Sequence, residues 1–145
     1  MFKHILLPTD GSRLSEASIK RGMQLAKLLE AKVTVLHVIA KFSVTADRME
    51  MLESSNHAFA AESVERAQCY LDFARKVAKG AHVECEIVQV VSDQPSKAII
   101  MTAQEKSCDL IQMASHGRRG IEGLLLGSET QKVLTHSNIP VLVYR

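Results

Sequence analysis

The run KVTVLHVI at residues 32 to 39 limits the possible folds more than any other stretch of this chain. It is largely apolar and β-branched, without the in-and-out alternation of a strand that faces water on one side. Such a run is expected of a strand buried on both faces, the condition of a parallel sheet covered by helices. The rest of the sequence supplies the other layers in strict alternation.

Residues 2 to 7, FKHILL, read as a first strand stopped by Pro8, and TDGS as a turn and helix cap. Ile19, Met23, Ala26 and Leu29 recur at helical spacing over residues 15 to 29. Residues 40 to 56 carry no clean period and read as a connection, with a short helical piece around Arg48 to Glu53. Val64, Ala67, Leu71, Ala74 and Ala78 stripe a long helix over residues 58 to 79, ended by Gly80. Val83 to Val91 is the third strand. Asp93 is the expected cap of the next helix, which carries Pro95 in its first turn and runs to about Lys106. Asp109 to Ala114 is the fourth strand, Ser128 to Thr135 the last helix and Ile139 to Tyr144 the last strand.

The order is βαβαβαβαβ, which predicts one doubly wound parallel sheet with right-handed crossovers and helices on both faces. The 145 residues suit a single domain spanning 1–145, and no repeat or linker divides them. In open sheets of this kind ligands bind beyond the carboxyl ends of the strands, where the strand order reverses.

Composition excludes several function classes. Eighteen basic and sixteen acidic residues leave a net charge of +2, too even for DNA or a membrane surface. Four Phe, two Tyr and no Trp offer no stacking platform for single-stranded nucleic acid. No apolar run approaches the roughly 18 residues of a membrane span. The opening MFKHILLPTDG has too short an apolar stretch for a signal peptide, so the expected location is cytoplasmic. Cys69, Cys85 and Cys108 have no CxxC spacing and are expected as buried thiols. The six His are scattered, and none pairs with a Cys at ligand spacing, so no metal centre is expected.

Two loops leave the expected carboxyl edge. One is Pro8-Thr9-Asp10-Gly11-Ser12. The other is SHGRRGIEGLLLGS, residues 115 to 128, which holds four of the chain's seven glycines. It leads into a helix N-terminus, where unpaired N–H groups and a partial positive charge attract anions. Gly127 leaves room for a phosphate, Ser128 adds a hydroxyl, and Arg118 and Arg119 stand nearby as phosphate partners or as solvated loop residues. Asp10 can accept from a ribose hydroxyl or hold a Mg2+ ion. Plain turns also use glycine, and Ser128 can serve simply as an N-cap. No Lys follows Gly127 as in a Walker A loop, and no G-x-G-x-x-G follows the first strand.

KHILLPTDGS, VTVLHVI, CDLIQMASHGRRG, LLLGSETQKVL and the closing IPVLVYR together resemble the universal stress protein family along the whole chain. That resemblance implies a five-stranded parallel sheet of order 3-2-1-4-5, a homodimer paired through the last strand, Ile139–Tyr144, and no established catalytic activity. The nucleotide-binding branch carries G-x2-G-x9-G-[ST]. Here Gly117, nine residues and Gly127-Ser128 match, while Ala114 stands at the first glycine. An Ala is tolerated there if the backbone is extended. The retained Gly127-Ser128 favours the binding branch, with ATP or AMP as ligand and Mg2+ as an optional companion.

Carried over by position, the resemblance places Pro8, Thr9 and Asp10 beside the adenosine, and the Val38 backbone at the adenine edge. Met113 and Ala114 then line the ribose side. Gly117, Gly127, Ser128 and Glu129 surround the phosphates through N–H groups, with the Glu129 carboxylate turned away. His116 reads as an exposed turn residue or a general base, and His37 as a satisfied core histidine. Met49, Met51 and Leu52 are candidates for a lid over the adenine. No nucleophile, base and orienter stand at legible spacing, so no catalytic residue is assigned. Two other functions stay open: a dimeric interaction protein with a vestigial pocket, which Ala114 favours, and slow hydrolysis of the nucleotide.

Overall fold

Neighbouring residues of the first strand face two different cores, which makes the sheet the middle of three layers. The computed structural model describes residues 1–41, 49–118, 120 and 125–145, with residues 49–60 described in backbone only. The strands are β1 His4–Thr9, β2 Lys32–Ile39, β3 Cys85–Val91, β4 Leu110–Ala114 and β5 Val141–Tyr144. The helices are α1 Arg13–Leu29, α2 Met49–Ala81, α3 Pro95–Glu105 and α4 Ser128–His136. All pairings are parallel, in the order β3-β2-β1-β4-β5. Ile5 and Leu7 pack with Ile19 and Met23 of α1 and Leu71 and Ala74 of α2. Leu6 packs the other way, with Leu36, Ile111, Ile99 of α3 and Val133 of α4. The expected fold class and strand order are both present.

Several boundaries differ from the expectation. β1 does not stop at Pro8 but runs through it to Thr9. Asp109 N–H donates to His4 O, so His4 turns its backbone groups toward β4. Alternation turns Pro8 to the same side, but β1–β4 pairing ends at Leu6 and Ile111. A missing N–H there breaks no ladder bond. β3, β4 and β5 begin one or two residues later than expected, at Cys85, Leu110 and Val141.

α2 begins at Met49, where the short helical piece was expected, and continues without a break into the long helix expected from residue 58. Met, Glu and Leu are strong helix formers, and extending an existing helix needs no new nucleus. Its other end runs past Gly80 to Ala81, and His82 takes the left-handed turn at φ 56°. Ala67, Leu71, Ala74 and Ala78 are buried as the stripe requires, whereas Val64 is 55% exposed. Asp93 does not cap α3. Its Oδ1 accepts from Lys41 N–H at 2.8 Å, and Gln94 holds the cap position without a side-chain bond. Gly127, not Ser128, is the N-cap of α4. Cys108 is buried, Cys85 half-buried and Cys69 exposed. Burial raises the Cys85 and Cys108 thiols to about 11, so both stay protonated at neutral pH.

Candidate functional site

β1 pairs with β2 over six residues but with β4 over only two. The two central strands therefore part beyond Leu6. The chain leaving β1 turns to α1 on one face, and the chain leaving β4 runs to α4 on the other. The crevice between them is the reversal point of the sheet, where this architecture places ligands.

The first loop is organised around two side chains. Thr9 Oγ1 accepts from Gly11 N–H at 3.2 Å and meets Ser15 Oγ at 3.1 Å. Asp10 Oδ1 accepts from Ser12 N–H at 2.9 Å, and Ser12 Oγ accepts from Ser15 N–H at 3.2 Å as the cap of α1. Asp10 Oδ2 reaches across the crevice to Arg118 N–H at 2.7 Å. Burial pushes the Asp10 carboxyl up, but hydrogen bonds from Ser12, from Arg118 N–H and from Ser15 outweigh it and hold it below the usual carboxylate range. Asp10 is therefore an anion that ties together loops 108 residues apart.

The described glycines of the second loop are needed for space. Among the described glycines only Gly11 has a positive φ, at 76°. A Cβ on Gly117 would lie 2.2 Å from Asp10 Oδ2. One on Gly127 would lie 3.1 Å from His116 Cα and 3.4 Å from Ser115 O. Gly127 N–H already donates to Ser115 O at 2.7 Å. The anion-binding capacity is therefore one step further on, at the first N–H groups of α4, which have no intrahelical acceptor. The half-buried His116 ring meets Ser115 Oγ through Nδ1 at 3.2 Å.

The other expected residues divide into those the fold brings to the crevice and those it turns elsewhere. Even-numbered residues of β2 direct backbone groups toward β1, as Lys32 N–H does to Lys3 O. Val38 thus presents its carbonyl just beyond the last pair, Thr9 with His37. Ala114 is the last residue of β4, extended and buried, and its carbonyl accepts from Thr130 Oγ1 at 3.0 Å. The Met113 side chain lies in the core with Leu36 and Val133, so only its backbone can line the crevice. The Glu129 carboxylate points away: Oε2 accepts from Ser96 N–H at 2.8 Å and Oε1 pairs with Lys132 at 2.8 Å. It caps α3 from another helix, the role expected of Asp93. Arg118 turns its guanidinium toward α2. Arg119 and the side chains of Met49, Met51 and Leu52 lie outside the described residues.

One residue at the crevice, Tyr70, carries no sequence signal, and His37 lies elsewhere than expected. Tyr70 of α2 packs its ring on Gly11, where a Cβ would lie 2.1 Å from Cε1. The Arg118 guanidinium sits 5.3 Å from the centre of that ring. His37 is half-buried here rather than in the core: its ring meets Tyr70 edge-on at 5.3 Å, and Nδ1 bonds Thr9 O at 2.8 Å. Nothing in the spacing of α2 marks Tyr70, because it flanks the buried stripe.

The residues present fit a nucleotide. Asp10 offers a carboxylate acceptor, Val38 a carbonyl at the end of the β1–β2 pairing and α4 a row of N–H groups. The Tyr70 hydroxyl is buried without a hydrogen-bond partner among the described residues. No group of three or more His, Cys, Asp or Glu suited to a metal occurs among the described residues. No helix among them is long and apolar enough to cross a membrane.

Known proteins agree with this architecture. The chain is 31% identical over 147 residues to universal stress protein MJ0531 of Methanocaldococcus jannaschii, covering 100% of this chain and 83% of that one. It is 30% identical over 156 residues to universal stress protein MJ0577 of the same organism, covering 100% and 96%. The solved structure of MJ0577 superposes with a TM-score of 0.84 over 99% of this chain and 96% of that chain. A universal stress protein solved in complex with cAMP superposes with a TM-score of 0.71 at 26% identity, over 99% and 97% of the two chains. The family model described as the universal stress protein family matches residues 1–145, and the chain belongs to that family.

Proposed function

We propose that this protein binds an adenine nucleotide, ATP or AMP, in the crevice between β1 and β4, and that the nucleotide sets its conformation or partners in stress adaptation or signalling. The observation that carries this reading is the bond from Arg118 N–H to Asp10 Oδ2 at 2.7 Å, which brings the two loops together at the reversal point. Asp10 takes a ribose hydroxyl, the Val38 carbonyl the adenine edge, and the first N–H groups of α4 the phosphates. Pro8, Thr9, Met113, Ala114 and Gly117 form the walls. The retained Gly127-Ser128 and the relative in complex with cAMP support the same ligand class. No catalytic residue is proposed, and Mg2+ enters only as a companion of the phosphates. The proposed location is cytoplasmic, and the proposed assembly is a homodimer through the edge strand β5.

The test is to denature freshly purified protein and resolve the supernatant by anion exchange, then to titrate ATP and AMP, with and without Mg2+, into stripped protein. A near-stoichiometric adenine nucleotide, or saturable heat on titration, is expected. Finding no nucleotide and no heat would mean that the glycine loop is scaffold. One observation favours that second reading: Gly127 N–H and Arg118 N–H are both satisfied within the protein. The protein would then act through its surface as a dimeric interaction module. Sedimentation of the wild type tests the dimer in either case.

A further inference from the structure

Tyr70 is held on three sides at the mouth of the crevice. Gly11 lies under the ring edge, His37 meets it at 75°, and the Arg118 guanidinium lies over it. Cζ would sit 2.2 Å from a Cβ on Gly11, so the hydroxyl, one bond further out, is at the loop that carries Asp10. That hydroxyl is buried and has no partner among the described residues. A buried polar group without a partner is unfavourable, and native structures tolerate few. The other such atom among the described residues, His4 Nδ1, is a different case. His4 lies inside the sheet, burial lowers its pKa, and its neutral ring already bonds Thr34 Oγ1 at 2.8 Å. Its leftover atom is the second nitrogen of a ring that is already bonded once, far from either loop, whereas the Tyr70 hydroxyl makes no bond among the described residues.

We propose that Tyr70 is a specificity-determining residue of the crevice, its hydroxyl hydrogen-bonding the nucleoside part of the ligand beside Asp10. This rests on the nucleotide-binding reading above. The phosphates belong to the N-terminus of α4, on the chain that leaves β4. Tyr70 reaches the β1 loop instead, where Asp10 and the Val38 carbonyl face the sugar and base. A hydroxyl that both donates and accepts completes that set. The ring is pinned by its neighbours, so little freedom is lost when the ligand arrives.

Tyr70→Phe keeps the ring and removes only the hydroxyl. ATP, AMP and adenosine are titrated into wild type and variant, with melting temperature and tyrosine fluorescence as further readouts. The variant is expected to bind all three ligands more weakly by a common factor of about tenfold. Its melting temperature is expected to be unchanged or higher, because an unpartnered buried hydroxyl is gone. The chain has two Tyr and no Trp, so the ligand-induced change in wild-type emission should vanish in the variant, which keeps only Tyr144. Equal affinity of variant and wild type overturns the proposal while leaving nucleotide binding intact. A loss confined to ATP and AMP also overturns it, by moving the contact to phosphate. Wild type that binds none of the three overturns both this proposal and the reading beneath it.

Discussion

The two ends of β1 are held by the same device and put it to different use. At the amino end Asp109 accepts from Lys3 N–H at 2.8 Å and His4 N–H at 2.9 Å. At the carboxyl end Asp10 accepts from Ser12 N–H at 2.9 Å and Arg118 N–H at 2.7 Å. Each carboxylate joins the chain of β1 to the chain of β4. At the amino end those strands are about to pair, so Asp109 only starts a ladder. At the carboxyl end they have parted, so Asp10 spans a gap that a ligand can enter. The chemistry is one; strand register decides whether it builds a seam or a site.

The largest effect is expected from Gly11→Ala. The positive φ and the contact with Tyr70 should together cost about 2–4 kcal/mol, read by urea denaturation. A cost near zero would show that Tyr70 is free to move and the carboxyl end is not packed as described. Next comes the direct comparison. Asp10→Ala and Asp109→Ala should each lower stability by about 1–3 kcal/mol, since each removes a charged acceptor from two N–H groups. Only Asp10→Ala should also weaken nucleotide binding, by at least about tenfold. Equal affinity loss in the two variants would dissolve the distinction between seam and site.

Acid titration sharpens the same point. The folded Asp10 carboxyl lies below its ordinary value of 3.8. Its contribution to stability is therefore fully present above that value and is lost as the pH falls through the lower folded one. Asp10→Asn should flatten the acid limb of melting temperature against pH, and an unchanged limb would mean that the anion stabilises nothing. A smaller effect is expected at Glu129, whose carboxylate serves the N-terminus of α3. Glu129→Gln should lower stability by about 0.3–1 kcal/mol and leave nucleotide affinity unchanged. A drop in affinity would place its side chain in the site after all. The smallest effect belongs to Ala114→Gly, with affinity within about twofold of wild type, because Ala114 is already extended and a smaller residue relieves nothing. A marked loss on titration would mean that the methyl group is itself a contact.

Much of this was legible in the residues alone. Continuous apolar runs such as KVTVLHVI can only be buried on both faces, and alternating them with helical stripes leaves a covered parallel sheet. Asp10 and Gly117 were legible because loops at strand ends carry little packing duty, so polar and glycine residues there stand out. Caps were less legible. Asp93 has the right chemistry in the right place, yet Lys41 N–H takes its carboxylate while Glu129 reaches in from α4. A cap requires only an acceptor near the free N–H groups, and sequence proximity is one way among several to supply it. The helical piece around Arg48 to Glu53 was legible, but its continuity with the long helix was hidden, because propagation needs no apolar stripe.

Local pattern therefore settled the fold class, the core faces and the polar loops, because periodicity and turn chemistry act over a few residues. The placement of Tyr70 on Gly11, of Arg118 on both Asp10 and Tyr70, and of the Gly127 N–H on Ser115 came only with the folded chain. Those contacts join residues from 12 to 108 positions apart, and their geometry depends on where β1 and β4 stop pairing. No short stretch of sequence contains that register.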